Sequence, residues 1–303
     1  MRPFRTALVT AIGVGAYSLF EPYLYRLAVV RLPVASTSPS LTLLHISDTH
    51  MKRRDRRLRE FLTALPLALR ETPDLVVATG DLIEGDEGID PLLEGLAPLR
   101  ARLGCYYVLG SHDYYAPRFT PLSYFSGSLR GEVKAGPADT ARLEAELGAL
   151  GWRSLTNTTH IVETPRGPLR LAGIDDPFLR RHRTDHIARS PDDVAAIGVV
   201  HCPDVVSEWF LASFDLVVAG HTHGGQVRVP GLGALVTNCS LPNALAGGPH
   251  RVGEGWLHVS PGLGTGKYSP IRFACRPEAT LLRLEPVRCP GSSGAEPVDA
   301  RRR

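Results

Sequence analysis

Five apolar, strand-like runs of this chain each end on side chains that can bind a metal ion. In a sheet of parallel strands, ligands gather beyond the carboxyl ends of the strands, where the loops leave the sheet. Five such endings predict that these carboxylates and imidazoles meet at one rim. The runs are residues 41–46 before Asp48 and His50, 74–78 before Asp81, 105–109 before His112 and Asp113, 195–200 before His201, and 215–219 before His221 and His223.

The types of these side chains narrow the chemistry. Aspartate and histidine without cysteine suit Mn, Fe or Zn, and suit calcium less because it prefers oxygen ligands only. The set is too large for one ion, whereas two ions about 3.5–4 Å apart would share a bridging carboxylate. Asp81, which stands alone after its strand, is the predicted bridge. Two such ions would clamp a phosphoryl group and turn a bridging water into hydroxide, so the predicted reaction is phosphoester hydrolysis.

The order and spacing of these motifs resemble the signature blocks of the calcineurin-like metallophosphoesterases. Two longer segments, 220–226 and 261–264, are similar to the bacterial membrane-anchored branch of that superfamily. The branch includes phosphodiesterases and a UDP-2,3-diacylglucosamine pyrophosphatase of lipid A synthesis. The resemblance covers about Leu41 to Glu285. It rests on Asp48-Thr49-His50, Gly80-Asp81, Gly110-Ser111-His112-Asp113, His201 and Gly220-His221-Thr222-His223.

The resemblance implies a metal role for seven residues. Ser111 departs from the family, which usually has an asparagine whose amide oxygen binds the second ion. A serine hydroxyl is shorter and a weaker ligand, so a looser second site is expected. The implied ligands are Asp48, His50 and His223 for the first ion, His201, His221 and Ser111 for the second, and Asp81 between them.

The resemblance also implies a catalytic histidine. His112 stands where the family has its general acid or phosphate-contacting histidine, and Asp113 is expected to hold its ring. Tyr114 and Arg272 are weaker candidates for contact with the substrate. Four other histidines match no motif and are expected to be packed in the core or at the surface: His45, His160, His250 and His258.

Residues 1–25 differ from the rest of the chain. Arg2 and Arg5 precede an uncharged run from Thr6 to Phe20, and a helix that spans a bilayer needs about 20 apolar residues. We expect an uncleaved single-pass anchor in the cell membrane. A cleaved signal peptide, which would give a secreted enzyme, and a short buried helix are the alternatives. Basic residues on both sides of the run leave the orientation open.

The remaining pattern predicts an α/β protein with one catalytic domain. Residues 26–40 read as a first strand and a linker, 41–288 as the catalytic domain, and 289–303 as a disordered Gly/Ser-rich tail. Helical spacing dominates the first half of the domain and strands dominate the second. This pattern predicts two facing sheets with helices outside. The resemblance implies the same fold, a four-layer α-β-β-α sandwich with two facing mixed sheets.

Composition restricts the partners. A formal net charge of +3 without a concentrated basic and aromatic stripe gives no reason to expect a nucleic-acid partner. Five cysteines without a C-x-x-C pair predict no disulfide framework. The expected partners are a phosphoester substrate and, through residues 1–25, a membrane. A nuclease, a non-catalytic metal-binding scaffold and a pyrophosphatase of a lipid-linked substrate remain alternatives.

Overall fold

The computed structural model describes residues 2–35, 39–116, 136–206 and 214–286. The described helices are α1 (Arg2–Phe20), α2 (Arg56–Leu69), α3 (Ile89–Leu96), α4 (Ser111–Tyr114) and α5 (Thr140–Ala149). The described strands are β1 (Arg26–Val34), β2 (Leu41–Ile46), β3 (Leu75–Thr79), β4 (Gly104–Val108), β5 (Trp152–Ser154), β6 (Thr158–Thr164), β7 (Gly167–Gly173), β8 (Ala195–Val200), β9 (Leu216–Ala219), β10 (Arg228–Val229), β11 (Gly233–Ala234), β12 (Gly248–Val252), β13 (Gly255–Val259) and β14 (Glu278–Pro286).

Most of these strands form two mixed sheets of six strands each. The first sheet has the order β1-β14-β2-β3-β4-β5 and the second has the order β12-β13-β9-β8-β7-β6. Strands β2, β3 and β4 are parallel to one another, and so are β7, β8 and β9. The carboxyl ends of each parallel set therefore lie at the same edge of their sheet.

The central strands are apolar on both faces, as expected for strands covered on both sides. In β2, Leu43 packs between the two sheets, whereas Leu44 and Ile46 pack against the helices outside the first sheet. Helix α2 turns its buried leucines, which recur every three or four residues, towards that outer face. The outer face of the second sheet is covered by Ile187, by segment 203–206 and by Phe214. The layers form the α/β sandwich that the sequence predicts.

Strand β1 lies at the edge of the first sheet, parallel to β14, and takes up residues 26–34 of the segment 26–40 predicted to form a first strand and a linker. The tail predicted at 289–303 lies outside the described residues. Within the described parts of the chain, none of the helices has both the length and the apolar character that crossing a bilayer requires.

The carboxyl end of α1 is attached to the loop that precedes β14. The main-chain N–H of Arg272 donates a hydrogen bond of 2.9 Å to the carbonyl oxygen of Ser18. The rings of Tyr17 and Phe273 are perpendicular to each other, with their centres 6.0 Å apart. Just beyond α1, Oε1 of the buried Glu21 accepts a 2.9 Å hydrogen bond from the N–H of Cys275. Helix α1 therefore ends against loop 272–275.

Candidate metal centre

The ends of five strands meet at one place between the two sheets. Asp48 and His50 follow β2, Asp81 follows β3, and His112 lies in α4 after β4. From the second sheet come His201 after β8, with His221 and His223 after β9. The cluster contains three groups of three side chains, and within each group the ligand atoms lie within 4.8 Å of one another. The groups are Asp48, His50 and His223; His50, Asp81 and His112; and Asp81, His201 and His221.

Asp81 lies between the two ends of this cluster. Its Oδ2 is 3.5 Å from Nε2 of His50 and 3.4 Å from Nε2 of His201. On the His50 side of Asp81, Oδ1 of Asp48 is 3.6 Å from Nε2 of His223. One carboxylate thus faces both sets of imidazoles.

Hydrogen bonds fix the orientation of three histidine rings. A metal-binding histidine usually donates its outward N–H to an oxygen acceptor, which leaves the other nitrogen free for the ion. The acceptors here are Oε2 of Glu84 for Nδ1 of His50 (2.5 Å), the carbonyl of Thr79 for Nδ1 of His201 (2.7 Å), and the carbonyl of Asn238 for Nε2 of His221 (3.2 Å). In each ring the opposite nitrogen faces the cluster.

The backbone at the site is strained. Five residues of the cluster adopt positive φ: Asp48 (47°), His50 (40°), Asp81 (49°), His221 (69°) and His223 (50°). This left-handed conformation is uncommon outside glycine, although Asp and His adopt it more readily than most residues. Each such residue costs about 1–3 kcal/mol, and such residues cluster at functional sites. The fold therefore gives up stability to direct these side chains into one cluster.

Two glycines allow the backbone to approach the carboxylates. A side chain at Gly110 would collide with Oδ1 of Asp81, and one at Gly220 would collide with Oδ2 of Asp48 and the hydroxyl of Ser47. The glycine of each motif is therefore required by the space around the carboxylates.

The charges of the cluster suit a divalent cation. Asp48 and Asp81 are buried, and within the described residues neither forms an ion pair with lysine or arginine. Burial and the charge of Asp81 raise the pKa of Asp48. Burial also opposes ionisation of Asp81, but the charges of His201 and His112 hold its pKa well below the usual range. Two buried carboxylates among imidazoles form a donor set for a divalent metal ion.

Glu84 also belongs to the site, although the sequence motifs did not predict it. Its Oε2 lies 2.5 Å from Nδ1 of His50 and 3.0 Å from Nδ1 of His112. Burial opposes the charge of Glu84, yet His50 and His112 hold its pKa below the usual range. Burial also acts to lower the pKa of His112, but Asp81 and Glu84 raise it to about 9. The available signal was its position, three residues after Asp81 in the same loop.

The structure corrects the role expected for Asp113. Its carboxylate is fully buried and accepts hydrogen bonds from the backbone N–H groups of Leu82 (2.8 Å), Ile83 (3.1 Å) and Gly110 (2.9 Å). Because Asp113 lies in the first turn of α4, its side chain folds back to cap the helix and cannot hold the ring of His112. Glu84 contacts that ring instead.

Arg272, a candidate for contact with the substrate, and Ser111, an expected metal ligand, lie in different surroundings. The guanidinium of Arg272 is fully buried and donates to the carbonyls of Pro261, Gly262 and Gly264, with Nη2 3.5 Å from Nδ1 of His223. These contacts occupy both terminal nitrogens of Arg272 and support the loop behind His223, while its buried Nε has no partner among the described residues. Ser111 is partly buried and stands between Gly110 and His112, both of which contact Asp81.

Tyr114 lies beside the centre with residues of a sixth strand end. Its hydroxyl donates a 2.9 Å hydrogen bond to Oδ1 of Asp175, and Arg181 lies 4.1 Å from the centre of its ring. The buried Asp175 and Asp176 follow β7. They therefore also lie beyond the carboxyl end of a parallel strand, like the other residues of the site. Burial raises the pKa of Asp176 to about 7.

Comparison with known proteins agrees with this geometry. Residues 41–225 match the calcineurin-like phosphoesterase family model, and the chain belongs to this family. It is 25% identical to phosphodiesterase YaeI of Escherichia coli (strain K12), over 91% of this chain and 94% of the relative. It is 28% identical to a Bos taurus transmembrane protein with metallophosphoesterase domain, over 94% of this chain and 63% of the relative.

A third relative is named as a pyrophosphatase. The chain is 27% identical to UDP-2,3-diacylglucosamine pyrophosphatase LpxG of Chlamydia muridarum (strain MoPn / Nigg), over 80% of this chain and 83% of the relative. Together, the family and the clustered carboxylates and imidazoles identify a metal-dependent phosphoric ester hydrolase.

Proposed function

We propose that the protein hydrolyses a phosphodiester or a pyrophosphate with two divalent ions of Mn, Fe or Zn. The observation that carries this proposal is the position of Asp81, whose Oδ2 faces His50 on one side and His201 on the other. Asp48, His50 and His223 would hold the first ion, with His201, His221 and Ser111 at the second and Asp81 shared by both. Divalent ions supply positive charge that polarises a phosphoryl group and lowers the pKa of a water from about 15.7 towards 7.

His112 is the proposed general acid. In the metal-free protein, Asp81 and Glu84 raise the pKa of His112 to about 9, which favours the doubly protonated imidazole. Glu84 lies against Nδ1, so Nε2–H is the group that can donate to the oxygen of the departing alcohol or phosphate. Its side chain is 30% exposed, which gives a substrate access to it. Such proton transfer contributes about 10²–10⁴ in rate.

The leaving group is proposed to lie against loop 174–183. The guanidinium of Arg181 stacks on Tyr114 and pairs with Asp175 at 3.0 Å, while its side chain remains 46% exposed. Phe178 packs 5.2 Å from the ring of His221. A wall with an aromatic ring and a guanidinium suits a leaving group that has both an apolar part and an anionic part.

A membrane-linked substrate is the finer proposal. Relatives of this chain include a transmembrane protein and an enzyme of a diacylated sugar nucleotide. Helix α1 ends against loop 272–275, and Arg272 of that loop lies 3.5 Å from His223. If residues 1–25 associate with a bilayer, this attachment holds the centre close to the headgroups. Alkaline extraction of membranes and amino-terminal sequencing test this association, and a protein that begins after residue 20 in the soluble fraction would contradict it.

One panel of substrates tests the proposed reaction. The full chain, supplied with Mn²⁺, is assayed on a nitrophenyl phosphomonoester, a nitrophenyl phosphodiester, UDP-2,3-diacylglucosamine and DNA. We expect hydrolysis of the diester or the pyrophosphate to exceed that of the monoester, and DNA to remain intact. Cleavage of DNA alone would make the enzyme a nuclease.

A matched pair of variants shows whether the measured hydrolysis comes from this protein or from a contaminating enzyme. Asp81→Asn removes the shared carboxylate charge and should abolish hydrolysis of every substrate in the panel. His160→Gln alters a histidine of β6, in the second sheet, whose Nε2 contacts Arg153 of β5 away from the cluster, and should leave the rates unchanged. A wild-type protein that binds Mn²⁺ and cleaves nothing in the panel would favour a non-catalytic scaffold.

A further inference from the structure

A chain of buried polar groups leads from the second sheet to Asp48. Nδ1 of His258, in β13, lies 2.8 Å from Nδ1 of His45, in β2, and Nε2 of His45 lies 2.9 Å from the hydroxyl of Thr79. That hydroxyl lies 2.6 Å from the hydroxyl of Ser47, which lies 2.5 Å from Oδ2 of Asp48. All five residues are fully buried.

The direction of every hydrogen bond in this hydrogen-bond chain follows from the carboxylate of Asp48 at its end. An ionised carboxylate only accepts hydrogen bonds, so the hydroxyl of Ser47 donates to Asp48. Each hydroxyl has one hydrogen, so Ser47 accepts from Thr79, and Thr79 in turn accepts from a nitrogen of His45. His45 therefore carries its hydrogen on Nε2.

The neutral histidines then have opposite tautomers. Because Nδ1 of His45 has no hydrogen, it accepts from Nδ1–H of His258. Nε2 of His258 is left as a buried acceptor, and no partner for it occurs in the described part of the chain. Burial lowers the pKa of both rings, that of His258 to about 3, so both are neutral at physiological pH.

We infer that Thr79, His45 and His258 are positioning residues for Asp48, because they form one hydrogen-bond chain whose direction is fixed from the second sheet to the carboxylate. Oδ1 of Asp48 faces His223 at 3.6 Å, while Oδ2 is held by Ser47. The hydrogen-bond chain therefore holds Oδ2 on the side away from His223, and the main-chain nitrogen of His221 lies 3.1 Å from both oxygens. The hydrogen-bond chain also joins strands of both sheets behind the first ion's ligands. This inference rests on the proposed function, since it takes Asp48 as an ionised metal ligand.

Thr79 gives the sharpest test, because valine has almost the same shape without the hydroxyl. Calorimetric titration of the full-length protein with Mn²⁺ should show binding about 10–100-fold weaker in Thr79→Val than in the wild type, the usual loss when a residue behind a metal ligand is replaced. Thr79→Ser keeps the hydroxyl and should restore the wild-type affinity. The far end has its own pair: His258→Asn keeps an N–H donor near the place of Nδ1, whereas His258→Leu has none and should bind Mn²⁺ more weakly.

The tautomers give a readout that loss of packing would not imitate. Nitrogen-15 spectra of the Zn²⁺-loaded protein should show the hydrogen on Nε2 in His45 and on Nδ1 in His258. The opposite assignment in either ring would overturn the inference. If the wild type binds Mn²⁺ and hydrolyses its substrate while Thr79→Val binds equally well, the positioning role fails and the proposed function stands. A wild type that binds no Mn²⁺ would remove both.

Discussion

The main-chain N–H of His112 donates a hydrogen bond of 2.8 Å to Oδ1 of Asp81. This bond occupies one oxygen of the shared carboxylate and leaves Oδ2 to face the imidazoles of His50 and His201. The first turn of α4 thus fixes the carboxylate and at the same time carries the proposed general acid. Ser111 directly precedes His112 in this turn and is the proposed third ligand of the second ion.

Replacement of Ser111 by asparagine should strengthen the binding of the second ion. An amide oxygen reaches further than a hydroxyl and is a better ligand for a divalent cation. We expect Ser111→Asn to lower the Mn²⁺ concentration for half-maximal activity by about tenfold, the lower end of what a residue at a metal site contributes. Activity measured across a Mn²⁺ titration checks this. Coincident curves for Ser111→Asn and the wild type would show that position 111 has no part in metal binding.

Replacement of Glu84 by glutamine should move the alkaline limb of the pH–rate profile. Asp81 and Glu84 raise the pKa of His112, to about 9 in the metal-free protein, and its proton is lost as the pH rises through that pKa. Without the charge of Glu84 this pKa falls, and the alkaline limb should move to lower pH. Because Glu84 also holds His50, kcat/KM should fall by about 10–100-fold.

Asp113→Asn is the matched control for Glu84→Gln. Asparagine cannot accept all three backbone hydrogen bonds of the Asp113 carboxylate, so the free energy of unfolding should fall by about 1–3 kcal/mol. The alkaline limb should move less than in Glu84→Gln, because the charge of Asp113 contributes least to the raised pKa of His112. A shift of that limb in Asp113→Asn with none in Glu84→Gln would return the role of ring partner to Asp113.

Metal binding should stabilise the wild type and fail to stabilise Asp81→Asn. A ligand at about 100 times its Kd adds about 2.7 kcal/mol to the free energy of unfolding. Thermal unfolding followed with Mn²⁺ and then with a chelator should show a rise in Tm that the chelator reverses. His160→Gln should show the same rise, and Asp81→Asn little or none. An equal rise in Asp81→Asn would place the bound Mn²⁺ outside the cluster.

The sequence predicted the layers of the fold and the meeting of the motif residues because both depend on local signals. Apolar runs that end on Asp or His mark strands and their carboxyl ends, and parallel pairing brings those ends to one edge. The partner of His112 was missed because Asp113 is its neighbour in sequence, whereas Glu84 reaches it only across the space between two loops. Sequence distance is a poor guide to contacts between loops.

His258 is a second residue whose contacts could not be predicted from the sequence. It matches no motif, and its place behind Asp48 depends on how two sheets face each other. The packing of sheet on sheet is a long-range property that periodicity along one strand does not encode. The sequence left open whether His258 lies in the core or at the surface; it is fully buried, and nothing in the sequence indicated its hydrogen bond to His45.

The buried His258 should make the metal-free protein sensitive to acid. Burial lowers its pKa from an ordinary 6.5 to about 3, so between these values the unfolded chain binds a proton that the folded chain excludes. The free energy of unfolding therefore falls as the pH decreases below about 6.5, by about 2 kcal/mol at pH 5 for this group. His258→Leu is less stable than the wild type at pH 7.5, where it leaves His45 without a donor, but it lacks this titration. Urea unfolding at pH 7.5 and pH 5 in a chelator should show the difference between the two proteins shrinking by about 2 kcal/mol. A constant difference would mean that His258 takes up its proton equally in the folded and unfolded chains.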